Sequence, residues 1–255
     1  MKQIYRIILA FSAFSILSLN LFSQAIDDKK TLDISLALGF NIGATAPMPI
    51  PAQVRKVNSY NPKANPQIGL YGVYSINDVW GIGTGILLDW KGMRVTDEVK
   101  YMHTSVILAD GGERLTGYFV GKNMTNVSMS YLTVPIYGTY RFNDRWQVKL
   151  GIYAAKALSS KFDGNVSDGY IRIDTPTGQK QEITENGASF DFSGDIRDSD
   201  FGLLAGGEFR LTNTIGFYGN LSWGLVPFFY SGSNPIEFTM RNIYGTIGIT
   251  YRYNK

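Results

Sequence analysis

From Ser130 to Ala155 the chain alternates between apolar and polar positions. Leu132, Val134, Ile136, Tyr140 and Phe142 fall on one parity, and Thr133, Tyr137, Thr139 and Arg141 on the other. After Asn143-Asp144-Arg145 the alternation resumes, with Trp146, Val148, Leu150 and Ile152 against Gln147, Lys149, Gly151 and Tyr153. A period of two belongs to a strand whose faces meet different surroundings. The pattern predicts an antiparallel hairpin with hydrocarbon on its apolar side and a polar lumen on the other. Strands that close on themselves suit such a wall, because every backbone N–H and C=O is then satisfied internally.

The same alternation recurs over residues 31–43, 67–76, 79–91, 200–211, 215–227 and 242–253, so that the hairpin's two strands bring the set to eight. The cleanest is the first, with Leu32, Ile34, Leu36, Leu38, Phe40 and Ile42 on one parity and Asp33, Ser35, Ala37, Gly39 and Asn41 on the other. Asn77-Asp78, Asn143-Asp144-Arg145 and Thr212-Asn213-Thr214 read as tight polar turns. The remaining connections, 44–66, 92–126, 159–199 and 228–241, are long, and long and short alternate without a break. Short turns are periplasmic and long loops extracellular in outer-membrane barrels. The expected fold is therefore all-β: an eight-stranded antiparallel up-and-down transmembrane barrel with four long extracellular loops, short periplasmic turns and both termini in the periplasm. A soluble lipocalin-like barrel would turn the Leu/Ile/Phe set inward and crowd Trp80, Trp90, Trp146 and Trp223 into one small interior. Aromatic girdles at the two membrane interfaces place them better.

Composition agrees, with 28 Gly, 16 Tyr and 15 Phe and only 18% charged residues. Past the N-terminal region no stretch of 18 uninterrupted apolar residues exists for a spanning helix. A net charge of +3, scattered along the chain, does not point to nucleic acid. At the N-terminus Lys2 and Arg6 precede an apolar run from Ile7 to Leu19, and Phe22-Ser23-Gln24-Ala25 follows. This predicts a secretory signal peptide over residues 1–25, cleaved after Ala25, ahead of a barrel domain at 26–255. The run of about 13 residues is too short for a spanning helix. The absence of cysteine excludes a lipid-modified N-terminal cysteine and any disulfide.

Thr246-x-Gly248-x-x-Tyr251-x-Tyr253 resembles the C-terminal signal read by the barrel assembly machinery, which makes that machinery an expected partner during biogenesis. Tyr131-Leu132-Thr133-Val134-Pro135-Ile136 resembles the "YLxIPL" strand of the small outer-membrane β-barrel family abundant in Bacteroidota, which includes the PorT-like, porin-family proteins. Gly85-Ile86-Leu87 through Lys91-Gly92 and Asp200 to Glu208 are similar to the same family. The resemblance covers nearly the whole mature chain. It implies an outer-membrane barrel in contact with lipid and lipopolysaccharide, and a possible envelope or secretion partner of the kind that PorT has in type IX secretion and gliding. Pro135 removes a backbone donor from what reads as a central strand, which points to a bulge or a local bend.

The inward parity carries Asp33, Asp89, Lys91, Arg141, Lys149, Asp200, Glu208, Arg210 and Arg252. About eight strands leave an interior that side chains fill, so these charges are expected to pair in a dry network and to leave no diffusion pore. A narrow ion path along Glu208 and Arg210 is the sharper alternative. The one histidine, His103, stands with Ser105 in the second long connection, where a lipid-modifying enzyme would carry its pair; no orienting third group accompanies them. Asp163-Gly164-Asn165-Val166-Ser167-Asp168-Gly169 faintly resembles a calcium loop, yet lacks the twelfth-position glutamate. Gly81-Ile82-Gly83-Thr84-Gly85 mimics a phosphate-binding run, but no helix follows and its glycines make room for neighbours. The sequon Asn123-Met124-Thr125 carries little meaning in a bacterial envelope protein. In the third long connection, Tyr170–Asp174, the turn Thr175-Pro176-Thr177-Gly178, and Gln179–Thr184 read as a projecting hairpin. No catalytic, cofactor-binding or metal residue is assigned. The expected role is non-catalytic: binding, envelope structure or assembly, through the loops or the periplasmic rim, with a lipid-modifying enzyme or a narrow channel as alternatives.

Overall fold

The computed structural model of the chain describes residues 32–109, 112–184, 187–231 and 236–253. The expected signal peptide lies outside the described residues. The strands are β1 (Leu32–Pro47), β2 (Val54–Pro62), β3 (Pro66–Ser75), β4 (Trp80–Leu108), β5 (Arg114–Arg141), β6 (Trp146–Ile173), β7 (Lys180–Ile183), β8 (Ala188–Asp191), β9 (Ser199–Arg210), β10 (Ile215–Gly224) and β11 (Met240–Tyr253). Three of these, β2, β7 and β8, stand off the main wall. The other eight run β1-β3-β4-β5-β6-β9-β10-β11, all antiparallel, and close where β1 pairs with β11 from Ile34↔Tyr253 to Pro47↔Met240.

The greasy parity faces outward, as the alternation predicts. Leu36, Ile86, Leu150 and Ile247 are all exposed on the outer wall, whereas Asn41, Asp89, Lys91, Asp200 and Thr246 are buried inside. The three short turns share one device. Asn77 Oδ1 accepts the backbone N–H of Val79 and Trp80 at 2.9 and 2.8 Å, Asn143 Oδ1 those of Arg145 and Trp146 at 2.9 Å each, and Thr212 Oγ1 those of Thr214 and Ile215 at 3.2 and 2.9 Å. Beside these turns an aromatic girdle forms, with Trp80 against Tyr140 and Trp146 against Phe209, each pair at 4.8 Å between ring centroids.

The second and third long connections are not loops. β4, β5 and β6 run for 29, 28 and 28 residues, where roughly 9–11 suffice to cross a bilayer. Their outer parts rise above the membrane as a collar and take up most of the expected connections at 92–126 and 159–199. The projecting hairpin is present within it, as β7 pairs with the end of β6 through Arg172↔Lys180 and Gly169↔Ile183. β8 pairs with β6 on one side (Val166↔Ala188) and with β4 on the other (Leu108↔Ala188), so β4, β5, β6 and β8 close into a small second ring. Its interior is a dry core, with Val106, Phe119, Val166 and Ile171 fully buried.

Water outside the collar reverses the sense of the alternation, because the apolar side chains must now face in. In β5 the odd positions stay inward throughout, from Thr133 and Tyr131 to Val127 and Phe119, and only their polarity changes. In β6 and β4 a bulge also changes which parity faces in. In β6 the odd positions Tyr153 and Ala155 are buried below Leu158, and the even positions Phe162 and Val166 above it. Leu158 is the extra residue, since Ser130 pairs with Ser159 and Tyr131 with Ala157. In β4 Tyr101, at φ 55°, does the same between Val99 and Met102.

Pro135 needs no bulge. The β4–β5 register is the same on both sides of it, Thr84↔Ile136 and Leu87↔Thr133, with no shift between. The ladder skips two pairs, and Thr84 Oγ1 donates to the Pro135 carbonyl at 2.8 Å in place of a backbone donor.

Leu150 is 71% exposed on the outer wall. Leu150→Arg is expected to cost about 2–4 kcal/mol in reversible unfolding from lipid vesicles, whereas Leu158→Arg in the collar region is expected to cost far less. Equal effects of the two would contradict the lipid boundary drawn here.

Candidate functional site

The lumen is built of stacked polar layers. At the periplasmic mouth Arg252 Nη2 donates to Glu208 Oε1 at 2.8 Å, Thr250 Oγ1 donates to the same oxygen at 3.0 Å, and Arg210 Nη2 lies 3.9 Å from Asp33 Oδ2. Next, Lys149 Nζ sits among three tyrosine rings, 4.4 Å from the centroid of Tyr71, 5.2 Å from Tyr137 and 5.6 Å from Tyr218. A third layer joins Gln67 Nε2 to Asp89 Oδ1 at 2.5 Å, Tyr218 Oη to Gln67 Oε1 at 2.8 Å and Thr246 Oγ1 to Asn41 Oδ1 at 2.6 Å. Lys91 Nζ then occupies a second tyrosine cage, 5.4, 5.2 and 5.5 Å from the rings of Tyr131, Tyr153 and Tyr244. Beside it, Asp200 Oδ2 accepts from Tyr153 Oη at 2.9 Å and from Asn242 Nδ2 at 3.0 Å.

The expectation that the enclosed charges pair with one another therefore holds only at the mouth. Higher up, each lysine takes the negative faces of tyrosine rings and each carboxylate takes neutral donors. Two desolvated ions brought together in so narrow a lumen gain little over such neutral partners. Glycine makes the cages possible: a methyl group built on Gly83 would overlap the Tyr137 ring, and one on Gly39 would overlap the Tyr218 hydroxyl. The Gly81–Gly85 run thus serves packing. Between the cages the free space is about 20 Å³, enough for about one water molecule.

Above this filled lumen the collar holds a half-open cavity of about 210 Å³. Its walls come from the outer end of β1 (Ala44), from β2 (Val54, Val57), from β4 (Met93, Val95, Met102) and from Ile236, Phe238 and Met240. Phe162, Phe190 and Phe192 close one side, and they belong to a cluster in which Phe162 lies 6.2, 6.2, 6.0 and 5.1 Å from Phe190, Phe192, Phe228 and Phe229. β2 roofs another side and pairs only with β4. Across to β1 it is tied by Tyr60 Oη donating to the Gly43 carbonyl at 2.6 Å.

The cavity's polar end is a small constellation on facing strands. Asn123 Nδ2 donates to Asp97 Oδ1 at 2.8 Å and to Thr125 Oγ1 at 3.1 Å, and all three residues line the space. Asn123, read as part of a sequon, is one strand period from Thr125, which is why both reach the same side. The sequence did carry a signal for the cavity, in Met93-x-Val95-x-Asp97-x-Val99 and in Ile236-x-Phe238-x-Met240, but both runs fall in stretches expected to be loop.

The other sequence candidates lie apart from this cavity. His103 and Ser105 are both on β4, where His103 is edge-on to Tyr118 at 5.1 Å and Ser105 shares a 2.6 Å hydrogen bond with Thr116. The calcium-like stretch is part of β6, where Asp163 pairs with Lys161 and Asp168 with Lys122, each at 2.9 Å. Among the described residues no cluster of His, Asp and Glu is arranged to hold a metal. Glu208 and Arg210 are absorbed into the periplasmic mouth.

Burial pushes the Asp97 carboxyl above its ordinary value, and hydrogen bonds from the Asn123 side chain and its own backbone only partly oppose this. Between the ordinary and the raised value the folded chain holds a proton that the unfolded chain has released, so stability falls as pH rises through that window. Asp97→Asn is expected to remove this fall. Urea unfolding in vesicles at about pH 4 and about pH 7 should show the variant gaining on the parent chain at the higher pH, and a parallel shift at both would contradict it.

Residues 22–230 match the family model described as outer membrane protein beta-barrel domain. No curated protein matches the chain significantly. Among solved structures, the chain is similar to Ail, the attachment invasion locus protein of Yersinia pestis, in complex with the heparin analogue sucrose octasulfate (13% identity, TM-score 0.39, 89% of this chain and 100% of that one). It is also similar to CarO2 of Acinetobacter baumannii (12%, TM-score 0.40, 87% and 99%) and to the outer membrane protein OprG of Pseudomonas aeruginosa (11%, TM-score 0.37, 91% and 100%). With the match spanning most of its length and the closed ring of lipid-facing strands on which it falls, this chain belongs to the outer membrane protein beta-barrel domain family.

Proposed function

We propose that this outer-membrane protein is a non-catalytic binding barrel that receives a small apolar molecule in its extracellular collar and does not conduct through its lumen. The carrying observation is the contrast along the barrel axis. A lumen filled by two lysine–tyrosine cages leaves room for about one water, and directly above it lies an apolar cavity ten times as large, at about 210 Å³. An apolar cavity of about 150 Å³ is already large enough to admit a benzene-sized molecule. Few convergent polar groups in a mostly apolar concavity are the usual make-up of a small-molecule site.

A lipid-modifying activity finds little support, because His103 and Ser105 are engaged by Tyr118 and Thr116 and stand outside the cavity lining. A secretion-associated role like that of the PorT-like proteins has the Tyr131–Ile136 strand in its favour. Crosslinking in intact cells would detect the envelope partner that such a role requires.

With methionine methyl groups labelled and the barrel held in lipid nanodiscs, toluene is expected to shift Met93, Met102 and Met240 saturably while leaving the exposed Met48 unmoved. The same preparation should give no resolvable steps in planar bilayers. Unsaturable shifts shared by Met48, or regular conductance steps, would overturn the reading.

A further inference from the structure

The polar end of the cavity limits what kind of molecule can fill it, given that it is a ligand site at all, so the following rests on the preceding reading. Asn123 is 6% exposed and both of its amide hydrogens are committed, one to Asp97 Oδ1 and one to Thr125 Oγ1. Its Oδ1 is buried with no hydrogen-bond partner. Exchanging the amide's oxygen and nitrogen would not repair this, because the oxygen would then confront the Asp97 carboxylate. A buried acceptor left unanswered is costly, and native interiors rarely tolerate one without reason. Asp97 is the only charged side chain among the described residues that line the space, and no lysine or arginine accompanies it.

We propose that the collar cavity selects an apolar molecule bearing a hydrogen-bond donor, an alcohol or a primary amine, whose head group answers Asn123 Oδ1 beside Asp97. The apolar body lies against Met93, Met102 and Phe190. A carboxylate head is disfavoured twice: it brings no donor to Asn123 Oδ1, and it sets a second anion beside Asp97. Thr125 and Thr104 leave this ranking intact, since a hydroxyl serves as donor or acceptor as required.

The test uses four probes with one chain length, octane, 1-octanol, octylamine and octanoate, titrated into methionine-labelled barrel in nanodiscs with affinities referred to the free aqueous concentration. Octanol is expected to bind roughly tenfold more tightly than octane, octylamine at least as tightly as octanol, and octanoate the most weakly of the head-bearing probes. Asn123→Leu should erase the octanol advantage while octane still shifts Met93, Met102 and Met240, and Asn123→Met serves should the leucine variant fail to fold. Asp97→Asn should narrow the gap between octylamine and octanoate. Octanoate binding as well as octanol, or an octanol preference that survives loss of Asn123, overturns the head-group assignment and leaves the apolar site standing. Failure of all four probes to move the three methionines overturns the site itself, and this proposal with it.

Discussion

Hydrocarbon offers nothing to a backbone N–H or C=O, and that constraint shapes every other feature of this barrel. The strands must pair on both edges, which the β1–β11 ladder accomplishes by joining the two ends of the described chain. Once the wall is closed, its circumference fixes how much can lie inside, and eight strands leave room for side chains only. The polar parity of each strand is thereby forced into a narrow, nearly dry space. Charges there are stabilised by what fits: tyrosine rings around Lys149 and Lys91, amide and phenol donors on Asp89 and Asp200, and one close ion pair, Arg252 with Glu208, where water can approach. A lumen assembled in this way is a plug, and function is displaced to its ends.

The same strands meet a second solvent above the bilayer. There apolar side chains are stable only inside, so the parity that faces lipid lower down must become the polar face. A regular strand does not invert its faces, because its side chains alternate strictly. β5 meets the change with residue type alone, keeping its odd positions inward from Thr133 to Phe119, whereas in β6 and β4 an extra residue, Leu158 and Tyr101, also exchanges the faces. Apolar side chains on the inward faces give the collar its own dry core around Phe119 and Ile171. Between that core and the lumen plug, the ends of β1, β2 and β11 do not fill the space completely, and the apolar cavity with its Asp97–Asn123 end is what remains.

The membrane part of this design is legible in the sequence because one face of each strand is apolar over its whole length. Leu32 to Ile42 and Trp146 to Ile152 reveal both the strand period and the side that faces lipid. The three short turns are legible as well, since a single Asn or Thr side chain caps each one. The collar is not. Its alternation from Met93 to Val99 is interrupted by Asp97 and then shifted by a bulge, so a reading that requires one unbroken parity stops at the bilayer edge and assigns the rest to loops. The tyrosine cages escape for another reason. Tyr71, Tyr137 and Tyr218 come from three strands far apart in sequence, and only closure of the ring brings them round Lys149. Asn123 is invisible as a site residue because its importance lies in an acceptor left without a partner, which is a property of packing.

The central claim is that one continuous strand faces lipid with its even positions and then turns them inward. The chain contains no cysteine, so nitroxide labels can be placed one at a time along β6. Oxygen and a water-soluble relaxant, compared at labels on residues 148, 150, 152, 161, 162, 165 and 166 in vesicles, measure the face directly. The account predicts lipid contact at 148, 150 and 152, shielding from both relaxants at 162 and 166, and water contact at 161 and 165. Lipid or water contact at 162 and 166, with 161 and 165 shielded, would mean an uninterrupted parity, and the collar with its cavity could not exist as described.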